Sequence, residues 1–261
     1  MRFIGLLLIA SLLFSCEQQK EKAIVKGNIK ESKVNALFAG GREAFKDYLE
    51  NQMRLPKPAE YFGVNAFVDV EIVFDTAGRI RDVGIKKVEI DADKAPKEAL
   101  TNGLIPLNEW FGAEASRLIW LSMNKWKPAE QLGKEIATKQ MVTIYFESPQ
   151  YVLNHREEQV KYGQLMPDYA KNHALLFFES GTYLITEKQW KGAEQQLTFA
   201  TQLVPNYTDA WYNLGIVHTQ LKNPKAACEC WMIAAELGDV EAEQLVLDNC
   251  RAVVESLKTK E

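Results

Sequence analysis

Histidine is nearly missing from this chain: His155, His173 and His218 are the only three in 261 residues. None has a metal-ligand partner four residues on or a nucleophile motif beside it, so neither a helical zinc site nor histidine-assisted nucleophilic catalysis is expected. Spaced glycines are short too. Gly40-Gly41 lacks the third glycine and the strand-to-helix setting of a phosphate loop. Asp91 and Asp93 fall in a polar stretch, where solvation rather than paired-carboxylate chemistry is expected. Basic charge shows no excess: 31 Lys and Arg against 35 Asp and Glu leave a net charge of -4 and a pI near 5.6. That balance gives no reason to expect nucleic acid, which needs a concentrated basic face. No apolar run approaches the ~20 residues of a membrane-spanning helix. With these absences an enzyme is the least supported class, no metal and no cofactor are expected, and binding of proteins or peptides is left.

What is present is a globular composition, 47% hydrophobic and 25% charged, with room for two domains. Its most legible stretch is residues 63–83. Ala66, Val68, Val70, Ile72 and Phe74 alternate with Asn65, Asp69 and Glu71, which predicts a half-buried strand. Asp75-Thr76-Ala77-Gly78 then predicts a turn with a glycine able to take positive φ, and Ile80, Val83 and Ile85 reopen the apolar face. The pair is expected to be an antiparallel hairpin. A hairpin alone is marginal, so flanking segments must cover it.

At the N-terminus, Arg2 precedes an apolar run from Phe3 to Phe14 that ends at Leu13-Phe14-Ser15-Cys16. The run has signal-peptide length. Leu-x-Ser-Cys at its end resembles the bacterial lipobox, which implies lipidation of Cys16 and removal of residues 1–15. Residues 16–36 are expected to be a polar tether, and the polar-acidic residues after Cys16 favour the outer membrane. Cys228, Cys230 and Cys250 remain. Cys228 and Cys230 are two apart on a predicted helix and point to different sides. Either all three are small core hydrophobes, or one of the two meets Cys250 and the other stays a buried thiol.

Ala44, Phe45, Tyr48, Leu49 and Met53 predict a helix over residues 42–53, stopped by Pro56 and Pro58. A second helix is expected over 113–124, and a third strand at Met141, Val142, Thr143, Ile144, Tyr145 and Phe146. The order helix, strand, strand, helix, strand carries Phe38-Ala39-Gly40-Gly41, Leu55-Pro56, Gly63-Val64, Asp75-x-x-Gly78, Ile80-x-x-Val83, Trp126-Lys127-Pro128-Ala129 and Gly133-Lys134. Together they resemble the TonB C-terminal domain family. The resemblance implies an α+β fold over residues 37–147, a three-stranded antiparallel sheet with two main helices. It also implies that the last strand is an edge which accepts an extended peptide by β-augmentation, with TonB-dependent outer-membrane transporters as the family's partners. Residues 91–111 exceed the short loop usual there, and their apolar residues predict an extra short helix or flap. Trp126, beside a helix-stopping proline, is expected to plug the core.

After a connector over 148–173, a 34-residue period appears: Gly181 and Gly215, Ala193 and Ala227, Ala200 and Ala234, with Phe177 matched by Trp211 and Leu197 by Trp231. This resembles the tetratricopeptide repeat and implies two helix pairs, 174–207 and 208–241, closed by a capping helix over 241–257. The resemblance places Phe178, Thr182, Ile185, Tyr212, Ile216 and Thr219 on a concave face, and His218 at a position that usually holds a packed aromatic. The whole is expected to be a lipid-anchored envelope protein that binds protein or peptide partners. An energy transducer of the TonB type is the alternative. It would need an uncleaved inner-membrane helix and a long proline-rich spacer, whereas about 20 tether residues reach at most ~70 Å.

Overall fold

The computed structural model describes residues 28–29, 35–91, 105–148 and 156–251. Residues 1–15, Cys16, most of the tether, residues 92–104 of the insertion, His155, and Val253 and Leu257 of the capping helix lie outside them. The chain is mixed α+β, an antiparallel sheet of three long strands and one two-residue strand, followed by a helical region. Two strands carry the alternation read from the sequence, β3 (Ala66–Phe74) and β4 (Ile80–Ile90). They pair antiparallel with Ile72 opposite Val83 and Val70 opposite Ile85. Ala66, Val68, Val70, Ile72 and Phe74 are all essentially inaccessible to solvent, which is what period-two patterning over one covered face requires. At the turn, Asp75 Oδ1 accepts from the backbone N–H groups of Ala77 and Arg79, each at 2.9 Å. Gly78 has φ 73°, and a Cβ there would stand 2.7 Å from the Pro128 nitrogen, so only glycine fits. A β-bulge between Asp69 and Val70 sets Lys86 outside the register, so that Val88 and Ile90 return to the covered side opposite Val68 and Ala66.

The third long strand, β8 (Thr138–Phe146), pairs along the whole of β3 and makes β3 central. Its far side carries a two-residue strand, β1 (Asn28–Ile29), opposite Thr143 and Val142. The tether is therefore not wholly a linker: it adds a rung to the sheet, and Ala36 at its end is buried in the core. Two smaller ladders join β2 (Leu37–Phe38) to β5 (Trp126–Lys127) and β6 (Ala129–Gln131) to β7 (Lys134–Ile136). Trp126 plugs the core as expected. Its ring meets Phe38, Phe45 and Phe74 at 5.3, 5.4 and 5.1 Å, and its Nε1–H donates to Ser122 Oγ.

Helix α1 (Gly41–Gln52) forms where periodicity placed it and buries Phe45 and Leu49. Pro56 and Pro58 do stop it, but they also begin a short helix, α2 (Lys57–Phe62), because proline suits a first helical turn where N–H groups have no intrahelical acceptor. The next helix, α3 (Leu107–Leu121), starts six residues earlier than residue 113. Pro106 precedes it, and Leu107, Trp110 and Phe111, expected within the insertion, are buried residues of its first turns. On α3, Glu114 and Arg117 form a buried ion pair at 2.6 Å. Glu114 Oε1 also accepts from the Arg54 N–H, and Arg117 donates to the Gln52 carbonyl, each at 2.7 Å. The pair thus ties the end of α1 to α3, and the carboxylate beside it holds the Arg117 guanidinium pKa up despite burial. Burial raises the Tyr48 hydroxyl well above the ordinary tyrosine range, and it donates to Leu118 O at 2.7 Å.

The helical region is α4 (Arg156–Thr186), α5 (Trp190–Leu203), α6 (Thr208–Gln220), α7 (Pro224–Glu236) and α8 (Val240–Asn249), each packed on the next. Helix α4 begins within the expected connector and runs on through residue 174 with Pro167 inside it. Two close approaches repeat 34 residues apart. A Cβ on Gly181 would stand 2.7 Å from Leu197 Cγ, and one on Gly215 would stand 2.3 Å from Trp231 Nε1. Asp239 caps α8 by accepting from the Ala242 N–H. Cys228 and Cys250 form a disulfide, with Cα atoms 5.5 Å apart, and Cys230 is a buried free thiol whose pKa burial pushes up to about 12. Of the two cysteine readings, the one that joined Cys250 to a helical cysteine is the one found. No helix among the described residues is long and apolar enough to cross a membrane.

Candidate functional site

The sheet has two outer edges, and they are built differently. On β8, Val142, Ile144 and Phe146 point into the core and are fully buried. Met141, Thr143 and Tyr145 lie on the opposite face, where Thr143 Oγ1 donates to Asp69 Oδ1 at 2.6 Å and Tyr145 stacks on Phe67 at 4.5 Å. The six residues expected at this edge therefore split three and three between core and solvent-facing side. What the edge can offer an extended partner is main chain. Two residues of this chain already use it, since Asn28 and Ile29 pair antiparallel with Thr143 and Val142. Gln140, one step before, is buried with neither amide atom hydrogen-bonded.

Four of the six expected concave positions pack in two groups. Phe178 lies 4.9 Å from the Tyr207 ring and, with Ile185, rests on the core that α4 and α5 share with the sheet. Tyr212 and Ile216 rest instead on the cluster around Trp231 and Cys250. Burial and a hydrogen bond to the Glu241 carboxylate raise the Tyr212 pKa. The hydroxyls of Thr182 and Thr219 donate to carbonyls of their own helices, Glu179 and Gly215. His218 Nδ1 lies 3.3 Å from Glu194 Oε1. The His173 ring nitrogens lie 3.0 and 3.3 Å from the carbonyl oxygens of Tyr169 and Leu55, and burial lowers its pKa. Among the described residues no group of three or more histidine, cysteine or acidic side chains could hold a metal ion.

The β4 edge is the one that the sequence did not disclose. It faces α5, and Gln195 joins three elements there. Its Oε1 accepts from Ser116 Oγ and from Trp120 Nε1, both at 2.7 Å, while its Nε2 donates to the Val83 carbonyl at 2.9 Å. Beside it, Gly192 lets the backbone meet the Trp120 ring, where a Cβ would stand 2.6 Å away. Lys191 and Asp82 pair at 3.3 Å, and Trp110 packs edge-on against His173 and Phe199. One apolar core runs through this junction, holding Val83 and Phe146 of the sheet together with Leu184 and Leu197 of the helices. A groove of about 620 Å³ opens between β4, α3 and α5. The signals in the sequence were Gln195-Gln196 and Gly192, which a repeat period reads only as helix interior. A scan against protein-family models finds no match, and a search of curated proteins finds no significant relative.

Proposed function

We propose that this chain is a non-enzymatic, lipid-anchored protein of the bacterial envelope, outer membrane favoured, whose β8 edge binds an extended segment of a protein or peptide partner. A TonB-C-like domain and two tetratricopeptide repeats would form its body, and TonB-dependent outer-membrane transporters are its expected partners. The observation that carries the reading is the pairing of Asn28 and Ile29 with Thr143 and Val142: this edge takes an extended segment in antiparallel register. Anchoring rests on Leu13-Phe14-Ser15-Cys16. The repeat reading is supported by the matched approaches of Gly181 to Leu197 and Gly215 to Trp231.

The native pairing at residues 28–29 competes with any partner for the same backbone. Ile29→Pro removes an N–H and disfavours the extended rung. Affinity capture from solubilised envelopes should recover TonB-dependent transporters, recover more with Ile29→Pro, and recover less when a synthetic peptide of residues 26–31 is added in excess. Recovery of no transporter, or recovery indifferent to both changes, contradicts the proposal. Recovery of inner-membrane motor components would replace it with the energy-transducer reading.

A further inference from the structure

The groove at the β4 edge has the chemistry of a second peptide site, independent of β8. Its walls are one face of each of two helices: Asn108, Glu109, Gly112 and Ser116 on α3, and Gln195, Thr198, Phe199 and Gln202 on α5. Eight residues of helix separate the ends of the first wall and seven those of the second, lengths of about 12 and about 10 Å, and ~3.3 Å per extended residue makes that about three to four residues of strand. The volume of about 620 Å³ falls within the range of sites that hold a defined ligand.

Four features select the occupant. Val83, Ile85, Val88 and Phe199 make an apolar floor. The side chains of Asn108, Gln196 and Gln202 line the groove with carboxamides, each both donor and acceptor, which match the alternating N–H and C=O of an extended chain, while that of Gln195 is taken up by Ser116, Trp120 and Val83. Gln196 is buried, and its Oε1 has no hydrogen-bond partner. In addition, β4 ends the strand order. The Val83 carbonyl is turned outward to Gln195, so alternation turns the backbone groups of Ile85 to the same side. Charge gives the sign. Glu109 and Glu194 stand on opposite walls, and none of the described lining residues is basic.

We propose that this groove binds a short extended segment of another polypeptide with the pattern apolar-basic-apolar, its alternate apolar side chains on the floor and its lysine or arginine side chains at the carboxylate-bearing walls. Glu194 also meets His218, so Glu109, exposed on α3, is the residue that reads the basic side chain most simply.

The test uses two capped, dye-labelled pentapeptides, Val-Lys-Val-Lys-Val and Val-Glu-Val-Glu-Val, titrated onto the full chain in detergent and followed by fluorescence anisotropy and side-chain amide NMR. The basic peptide should bind at least tenfold more tightly than the acidic one and shift the side-chain amides of Asn108 and Gln202. Glu109→Lys, a surface change that leaves the core alone, should weaken it at least tenfold. Thr198→Trp, which fills the groove, should abolish binding in a chain whose melting is otherwise cooperative. Ile29→Pro should leave it unchanged, which separates this site from the β8 edge. Equal binding of the two peptides, no binding of either, or binding that survives Glu109→Lys overturns the proposal.

Discussion

The two edges of one sheet have been finished in opposite ways. At β8 the chain lays two residues of its own tether across Val142 and Thr143. At β4 a side-chain amide, Gln195, reaches across from a helix to take the Val83 carbonyl and hold Ser116 and Trp120 as well. A two-residue rung makes few hydrogen bonds and its residues belong to a polar stretch, and the function proposed above requires a partner to displace it. The β4 edge is built into a shared core through Gly192 against Trp120 and Trp110 against Phe199. An exposed sheet edge is a hazard that proteins manage by covering or blunting it, and this sheet does so with a two-residue rung on one side and a side-chain joint on the other.

The comparison breaks most severely if the joint's foundations go. Glu114→Ala leaves Arg117 buried and unpaired and should cost ~3–5 kcal/mol in chemical denaturation. Gln195→Leu strips the Val83 carbonyl and the donors of Ser116 and Trp120 of their partner. It should cost about 2–3 kcal/mol while leaving pairing at β8 intact, as amide exchange would show. Acid gives a smaller handle. Burial lowers the His173 pKa in the folded protein, so the unfolded chain binds its proton more readily. Stability from this group is complete above about pH 6.5 and falls as pH drops below it towards the folded value, by at most ~1.4 kcal/mol per pH unit. His173→Phe should flatten that part of a stability-pH curve.

The alternation from Ala66 to Phe74 was readable because one covered face imposes period two, and Gly78 because no side chain fits against Pro128. The start of α3 was not: Leu107, Trp110 and Phe111 are as apolar as a packed flap, and only the tertiary core decides between the two. Prolines 56 and 58 signalled a stop without signalling the helix they also start. Of the candidate sites, the β8 strand was legible but not the Asn28–Ile29 rung on it, since Asn28 and Ile29 sit among polar residues. Gln195 was invisible for a different reason. Its partners are more than 70 positions away in the chain, and long-range polar pairing leaves no local pattern.

Amide hydrogen exchange on the native chain and on Ile29→Pro tests the central claim directly. The expected result is loss of protection confined to the outer side of β8 around Val142 and Thr143, with β4 at Val83 and Ile85 unchanged. Unchanged protection at β8, or a loss that spreads to β4, would contradict a displaceable cover on one edge and a fixed joint on the other.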